Sequence, residues 1–422
     1  MVLSVKELLQ ELIRRPSVNP AFPAADSSNL GESAITNFLE IFFDNNDIQW
    51  SRQSVHHDRD NLIAVFRTSD TPSTAGPMLW EVHQDTVGVE GMTIDPFAGL
   101  EAQGRIWGRG ACDVKGTMAA MLTALHRVSC SGEQLPRPIV LAMTINEERG
   151  FTGVKALRRL WSDDEAVAAA EASNLSGPLS FKEIRSLGPS FALVAEPTLL
   201  DVVVAHKGGV TWQCHTHGKA AHSSRPECGI NAISAMARIV EAVQRYDVEV
   251  LRRRGPHPLC GLPSAVVSTI QGGAGANTVP DHCVIDIDCR LLPHEQPAEA
   301  RQALIDYLAA ATEGTDATIT HDPPANQCVG LRDDNNHQWA RSIASIVDSL
   351  GAELTGTGSP DRSSQLIGVP FGTDAWVLSE AGIPTVVFGP GSIEQAHTDD
   401  EWIEIDQLER AVEIFSRLAL AR

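Results

Sequence analysis

Short apolar runs and helical repeats alternate along the first half of the chain. The segments PMLWEVH, RPIVLAMTIN and SFALVAEP are apolar runs that end in polar residues, whereas GTMAAMLTALHRV repeats Met118, Leu122 and Leu125 at helical spacing. Strands that alternate with helices predict an α/β fold, with a mainly parallel sheet and helices on both of its faces. The N-terminal segment MVLSVKELLQELIRRPSV has the pattern of an amphipathic helix.

From about residue 208 the pattern changes. GGVTWQCHTHG, AVVSTIQGG and HCVIDIDCRLLP have the pattern of strands, and GINAISAMARIVEAVQRY and EQPAEARQALIDYLAAAT that of helices. This order predicts a smaller α+β lid or dimerisation domain over residues 208–318. It is inserted into a metal-binding catalytic domain made of residues 1–207 and 319–422, where the α/β pattern resumes with HQWARSIASIVDSLG and PTVVFGPG.

Residues 161–190 fit neither pattern. The stretch is polar, rich in alanine and serine and weakly periodic. We expect a surface insertion that can hold a short helix.

Composition and charge exclude several classes of protein. Of the 422 residues, 43% are hydrophobic and 21% charged, which is typical of a soluble globular protein. A formal net charge of −21 argues against nucleic acid or an anionic membrane as partner, because both require a basic face. The N-terminus lacks the features of a secretory signal, so we expect a cytoplasmic protein whose eight cysteines are reduced thiols.

The first candidate for chemistry is the pair His83 and Asp85, at the end of PMLWEVHQD. Residues i and i+2 of a strand face the same way, so the two side chains can touch. A metal-bound imidazole commonly donates its other N–H to a carboxylate. A His–Asp pair without a metal explains this motif at least as well.

Acidic residues also follow predicted elements in two other places. Asp113 lies in the glycine-rich turn GRGACDVKG before a helix, where it could bridge two cations or simply cap the helix. Glu147 and Glu148 end a predicted strand in TINEERG. Adjacent buried carboxylates repel each other unless cations lie nearby, although a solvated acidic loop is the alternative.

Glu196 and His397 complete a set of side chains at predicted strand ends or in the loops that follow them. Glu196 ends FALVAEPT, and His397 follows PTVVFGPGSIEQAH. Histidine and carboxylate ligands without cysteine suit zinc, cobalt or manganese. The sequence therefore predicts a centre for two divalent metal ions, with these ligands: His83, Asp113, Glu148, Glu196 and His397.

These motifs resemble those of a family of dizinc amidohydrolases and peptidases. The family includes acetylornithine deacetylase, succinyl-diaminopimelate desuccinylase, aminoacylase and carboxypeptidase G. The resemblance covers nearly the whole chain, in family order, through these segments: WEVHQDTV, GRGACDVKG, TINEERG, VAEPT, HKGG, GKAAHSS, GGAGANTVPD, DIDCR and GPGSIEQAH.

The resemblance implies a role for each ligand. His83 and Glu196 would bind one metal ion, Glu148 and His397 the other, and Asp113 would bridge them. Asp85 would orient His83, and Glu147 would act as the general base. The family often has a cis peptide after the bridging aspartate, so we expect one at Asp113–Val114.

Three lid positions also resemble functional residues of the family. His222 in GKAAHSS would stabilise the oxyanion in a neighbouring active site, which implies a possible homodimer through the lid. Asn277 and Arg290 would hold the substrate carboxylate, for which the arginine fork is suited. From the sequence alone, Arg290 is more simply a surface ion-pair partner of Asp286 or Asp288.

The implied activity is hydrolysis of the amide bond of a small N-acyl amino acid or short peptide. The motifs are most similar to the acetylornithine deacetylase branch, which implies a role in arginine biosynthesis. That branch often has aspartate where this chain has Glu196, and the 161–190 insertion is a second departure. Succinyl-diaminopimelate, other acyl amino acids and dipeptides stay open as substrates, as does an inactive relative that serves as a scaffold.

Overall fold

A computed structural model describes residues 3–24, 26–67, 76–173, 177–355 and 362–421. Within these ranges, the strands are β1 (Gln49–His56), β2 (Arg59–Phe66), β3 (Met78–His83), β4 (Leu100–Ala102), β5 (Arg105–Trp107), β6 (Ile139–Thr144), β7 (Phe191–Val194), β8 (Val202–His206), β9 (Gly208–His217), β10 (Ala221–His222), β11 (Ser264–Gly272), β12 (Thr278–Val279), β13 (His282–Leu291), β14 (Thr318–His321), β15 (Asn326–Cys328), β16 (Leu366–Val369), β17 (Thr385–Val387) and β18 (Trp402–Glu404).

The helices of the same ranges are α1 (Val5–Ile13), α2 (Ser33–Asp44), α3 (Lys115–Ser131), α4 (Thr152–Arg159), α5 (Asp164–Ala172), α6 (Phe181–Ser186), α7 (Ala232–Tyr246), α8 (Pro297–Ala311), α9 (His337–Thr355), α10 (Ala375–Glu380) and α11 (Ile405–Ala419). None of the described helices is both long enough and apolar enough to cross a membrane.

The chain divides into two compact units. The first comprises Met1–Val204, Asp333–Ile367 and Thr373–Arg422, and the second comprises Ala205–Arg332 and Gly368–Gly372. The second unit extends beyond the predicted boundary at residue 318. The reason is that β14 and β15 both pair with β9, the central strand of that unit.

The first unit is built on a sheet with the strand order β1-β2-β6-β3-β7-β17-β8-β16. Its middle strands β6, β3, β7 and β17 are parallel neighbours, as predicted, whereas β1, β2 and β8 pair antiparallel. Helices cover both faces. Trp80 of β3 packs on Phe415 of α11, and the next residue, Glu81, faces the opposite way, towards Asp374 before α10.

The second unit is a sheet of order β11-β13-β9-β14, with β15 also paired to β9. Along β9 and β13 buried and more exposed residues alternate, as expected of strands that cover a core on one face only. The buried residues pack with helices α7 and α8 into one hydrophobic core.

Residues 161–190 differ from the expected surface insertion. They form the two short helices α5 and α6, apart from residues 174–176, which lie outside the described ranges. Leu179, Phe181 and Ile184 are fully buried, and the Leu179 amide donates to the Trp50 carbonyl of β1. The segment therefore contributes to the core beside β1, which its polar composition concealed.

Candidate metal centre

The five predicted ligands lie after elements of the first unit. His83 is the last residue of β3, Glu148 and Glu196 follow β6 and β7, and His397 lies in the loop after β17. Because these four strands are parallel neighbours, their carboxyl ends share one edge of the sheet. Asp113 reaches the same place from the turn before α3.

Asp113 directs one carboxylate oxygen to each of two histidines. Its Oδ1 lies 3.1 Å from Nε2 of His83, and its Oδ2 lies 3.4 Å from Nε2 of His397. The ligand atoms form two groups around this shared carboxylate: one contains His83, Asp113 and Glu196, and the other Asp113, Glu148 and His397. This is the division that the sequence resemblance implied. The Asp113–Val114 peptide is cis, as expected.

The donor set fits two divalent ions. His397 Nε2 lies 3.1 Å from Oε2 of Glu148, whose side chain is only 6% exposed. Among the described residues, no hydrogen-bond partner reaches the buried Oε1 of that glutamate. Histidine nitrogens and carboxylate oxygens in two such groups suit zinc or its neighbours among the transition metals.

The carboxylates of the site raise the pKa of both histidines. Hydrogen bonds to Asp113 and Glu148 raise the pKa of His397 to about 10. Burial opposes a charge on His83, but its hydrogen bond to Asp113 and the neighbouring carboxylates raise its pKa well above the ordinary value. The carboxylates of the site therefore favour positive charge beside them, which is the electrostatic setting that a metal cation requires.

Glu147 stands beside the two ligand groups. Burial raises its pKa well above the ordinary value, and the negative charge of Glu196 raises it further. Burial also raises the pKa of Glu148, which the hydrogen bond to His397 partly offsets. The two adjacent glutamates thus differ: Glu148 is fixed by His397, whereas Glu147 keeps a carboxyl group with a raised pKa, suited to proton transfer.

Asp85 contacts His83 through its main chain more closely than through its carboxylate. Nδ1 of His83 lies 2.9 Å from the main-chain oxygen of Asp85, but 3.8 Å from its carboxylate. That carboxylate instead accepts hydrogen bonds from the amides of Glu147 and Glu148, at 3.0 and 3.2 Å, and from Nδ2 of Asn19 at 2.7 Å. The Asp85 side chain therefore fixes the loop of the two glutamates.

Glu401, which the sequence interpretation missed, holds the turn of Asp113. Its Oε1 accepts from the amides of Cys112 and Asp113 at 2.7 and 2.9 Å, and its Oε2 from the Gly110 amide at 2.9 Å. Arg109 forms a buried ion pair with it at 2.9 Å. In the sequence Glu401 ends the acidic run DDE, which has the pattern of a solvated loop.

A second missed pair lies behind His83. Glu81, two residues earlier on β3, and Asp374 are both about 1% exposed. Burial raises the pKa of Glu81 to about 7 and that of Asp374 well above its ordinary value, and the Thr144 hydroxyl lies within hydrogen-bond distance of both carboxylates. The sequence signal that could have revealed this pair is the acid within the apolar run MLWEVH, because a buried carboxylate requires partners.

The remaining candidates lie in the second unit. Pairing of β10 with β12 sets His222 opposite Thr278 and brings the Ser223 amide to the Asn277 carbonyl at 2.9 Å. Nδ1 of His222 lies 2.8 Å from the Ser224 hydroxyl. Arg290 binds both carboxylate oxygens of Asp288, at 2.8 and 3.1 Å, so the ion pair considered from the sequence is present.

Comparison with known proteins adds independent evidence. The model of peptidase family M20/M25/M40 matches residues 79–421. An acetylornithine deacetylase from Myxococcus xanthus is 31% identical over 363 residues, which cover 85% of this chain and 82% of the relative.

Two solved structures share the fold. A tripeptidase from Staphylococcus aureus superposes with a TM-score of 0.71 at 19% identity and 98% coverage of both chains. A dinuclear metal-binding peptidase from Bacillus subtilis gives 0.61 at 16% identity, with 99% of this chain and 96% of the other covered.

Proposed function

The chain belongs to peptidase family M20/M25/M40, a family of metal-dependent hydrolases, and from that premise we propose that it cleaves the amide bond of N-acyl amino acids. The observation that carries the proposal is the shared carboxylate of Asp113 between two ligand groups, with Glu147 beside them. We propose zinc as the metal.

Bound divalent ions supply Lewis acidity, which activates water and polarises the amide carbonyl. Residues of the chain transfer the protons and hold the proton-transferring group in place. The Glu147 carboxylate takes a proton from the attacking water and delivers it to the leaving amine. Its raised pKa supports this cycle, because a stronger base accepts the proton more readily. Asp85 holds the backbone of Glu147 in place through the amide hydrogen bond.

For three side chains of the second unit we propose the roles that the sequence motifs imply. His222 stabilises the oxyanion of the tetrahedral intermediate. Asn277 and Arg290 bind the carboxylate of the substrate. Arg290 now binds both oxygens of Asp288, so the substrate carboxylate takes the place of Asp288 on the guanidinium.

N-acetylornithine is the first candidate substrate. The Myxococcus xanthus relative that is an acetylornithine deacetylase supports this choice and the associated role in arginine biosynthesis. Glu196 and the helical segment at 161–190 are the departures from that branch. Succinyl-diaminopimelate, neutral N-acyl amino acids and dipeptides are therefore the alternatives.

A hydrolysis panel tests the proposal. The zinc- or cobalt-loaded protein is given N-acetylornithine, N-succinyl-diaminopimelate, N-acetylated neutral amino acids and dipeptides, and release of the free amine is measured. We expect the highest kcat/KM for N-acetylornithine. A higher kcat/KM for another substrate of the panel would reassign the substrate. If protein that retains two metal ions turns over none of them, the scaffold role would be favoured.

We further propose a homodimer through the second unit. Strand β11 lies at the edge of its sheet, and its Val266 and Ile270 are 50% and 56% exposed. An exposed apolar edge strand is suited to pairing with a second copy. Sedimentation velocity should give a dimer that V266K/I270K converts to monomer, and a wild-type monomer at all concentrations would contradict this.

A further inference from the structure

A cluster of histidines lies on the outer face of the sheet in the second unit. Residues 212, 214 and 216 of β9 face the core, so the alternate residues His215 and His217 face outward. His282, the first residue of β13, pairs directly with His217. Three imidazoles from two neighbouring strands therefore share one small area, which we call the histidine face.

The three rings are in mutual contact. Their centroids are 5.2 Å apart for His217 and His282, 5.4 Å for His215 and His282, and 6.0 Å for His215 and His217. Nδ1 of His215 lies 3.1 Å from Nε2 of His282. Two nitrogens bound to one tetrahedral zinc ion, each at 2.0–2.1 Å, are about 3.3 Å apart. The observed pair is thus already spaced as two ligands of one ion.

Oxygen atoms occupy the other nitrogens of His215 and His217. Oδ2 of Asp322 lies 3.2 Å from Nε2 of His215, and the Thr320 hydroxyl lies 3.0 Å from Nε2 of His217. An N–H at Nε2 that donates to oxygen leaves Nδ1 with its lone pair. His215 is held as metal-bound histidines commonly are, with its distal N–H on a carboxylate.

We propose that the histidine face binds a divalent ion of the zinc, nickel or copper class, separate from the centre of the first unit. Nδ1 of His215 and Nε2 of His282 are the two ligands already placed together, and the exposed ring of His217 gives up its contact with the Thr320 hydroxyl to supply the third nitrogen. Nitrogen ligands select these ions over magnesium or calcium. The net charge of −21 raises the local concentration of cations near the protein.

Nickel binding to the zinc-loaded protein tests this proposal. Protein with two zinc ions per chain is dialysed against graded NiCl2, and nickel and zinc are measured by mass spectrometry. We expect one additional nickel ion per chain in the wild type. H282A should weaken its binding at least tenfold, and D322N by 10–100-fold, as for other partners of metal-bound histidines.

The matched control is H294A, which removes an exposed histidine of the same unit and should bind nickel as the wild type does. NMR of the unsubstituted protein gives a readout that does not depend on any variant folding. In these NMR spectra, bound nickel should broaden the ring signals of the three histidines of the histidine face together. The proposal is overturned if the wild type retains no additional nickel, or if H282A retains as much as the wild type.

Discussion

Glu147 and Glu148 are neighbours in the chain, yet their surroundings separate their chemistry. His397 binds Glu148, whereas no described residue forms a hydrogen bond with the Glu147 carboxylate. Replacing one carboxylate oxygen of Glu147 by an amide nitrogen therefore tests its role without changing any metal ligand.

We expect E147Q to lower kcat by 10²–10⁴-fold, because general acid–base catalysis contributes about that much. Its metal content should stay at two ions per chain, since the ligands are unchanged. Stopped assays and metal analysis provide the measurement. E394Q, at an exposed glutamate, is the control and should keep wild-type activity. Undiminished turnover of E147Q would remove Glu147 from the mechanism.

Glu401 affects the metal centre indirectly, through the turn of Asp113 that it holds in place. In E401Q the amides of Cys112 and Asp113 lose a charged acceptor, so the bridging carboxylate is less well placed. We expect zinc affinity to fall by about 10–100-fold, as for other residues behind metal ligands. Competition with a chelator measures it, and activity should return at high zinc.

The same substitution leaves Arg109 buried without its ion partner, which costs about 3–5 kcal/mol. Affinity must therefore be measured below the unfolding temperature of the variant. E404Q, three residues along the chain and part-exposed, is the control. Equal zinc affinity in E401Q and E404Q would exclude the proposed effect.

At the scale of elements, β8 ends in a buried histidine that makes stability depend on pH. Nδ1 of His206 lies 2.9 Å from the Lys207 carbonyl and 3.3 Å from the Leu331 amide. Burial lowers the pKa of His206 to about 4. Because the unfolded chain has an ordinary histidine pKa of about 6.5, it binds a proton more readily than the folded chain.

The stability contributed by neutral His206 is therefore complete above about pH 6.5 and is lost as the pH falls towards 4. The full loss is about 3 kcal/mol, from a pKa difference of about 2.5 units. Denaturant unfolding of wild type and H206Q across this window should show a shallower decline for the variant. H294Q is the control, and parallel curves for H206Q and wild type would contradict the assignment.

The strands that position the metal centre could be predicted because each is an apolar run with a polar end. Met78–His83, Ile139–Thr144, Phe191–Val194 and Thr385–Val387 all form as expected. Strand β1 was missed because QWSRQSVH mixes polar and apolar residues without clear alternation, whereas β2 was overlooked although RDNLIAVF contains an apolar run. The acids behind the ligands, Glu81, Asp374 and Glu401, were missed because their importance arises from contacts between distant segments.

At the scale of the whole molecule, the two units have separate cores, and the five metal ligands all belong to the first. An ion at 1,000 times its dissociation constant stabilises the state that binds it by about 4 kcal/mol. Zinc should therefore stabilise the first unit selectively.

Hydrogen exchange of metal-free protein, with and without two equivalents of zinc, measures this effect. We expect zinc to slow exchange in β3, β6 and α3, while α7 and β13 of the second unit change little. The second unit thus serves as an internal control. Equal slowing in both units would mean that they unfold together, and no slowing in the first would mean that zinc does not bind there.

The discontinuous first unit also constrains how the protein is made. Its ligands are spread from His83 to His397, and both segments of the second unit lie between Glu196 and His397 in the chain. During synthesis on the ribosome, the main segment of the second unit, Ala205–Arg332, can fold before residue 397 has emerged, whereas the second ligand group remains incomplete. Metal loading of both positions must therefore wait until His397 has been added, and a ribosome that stalls before residue 397 releases a product without the complete centre.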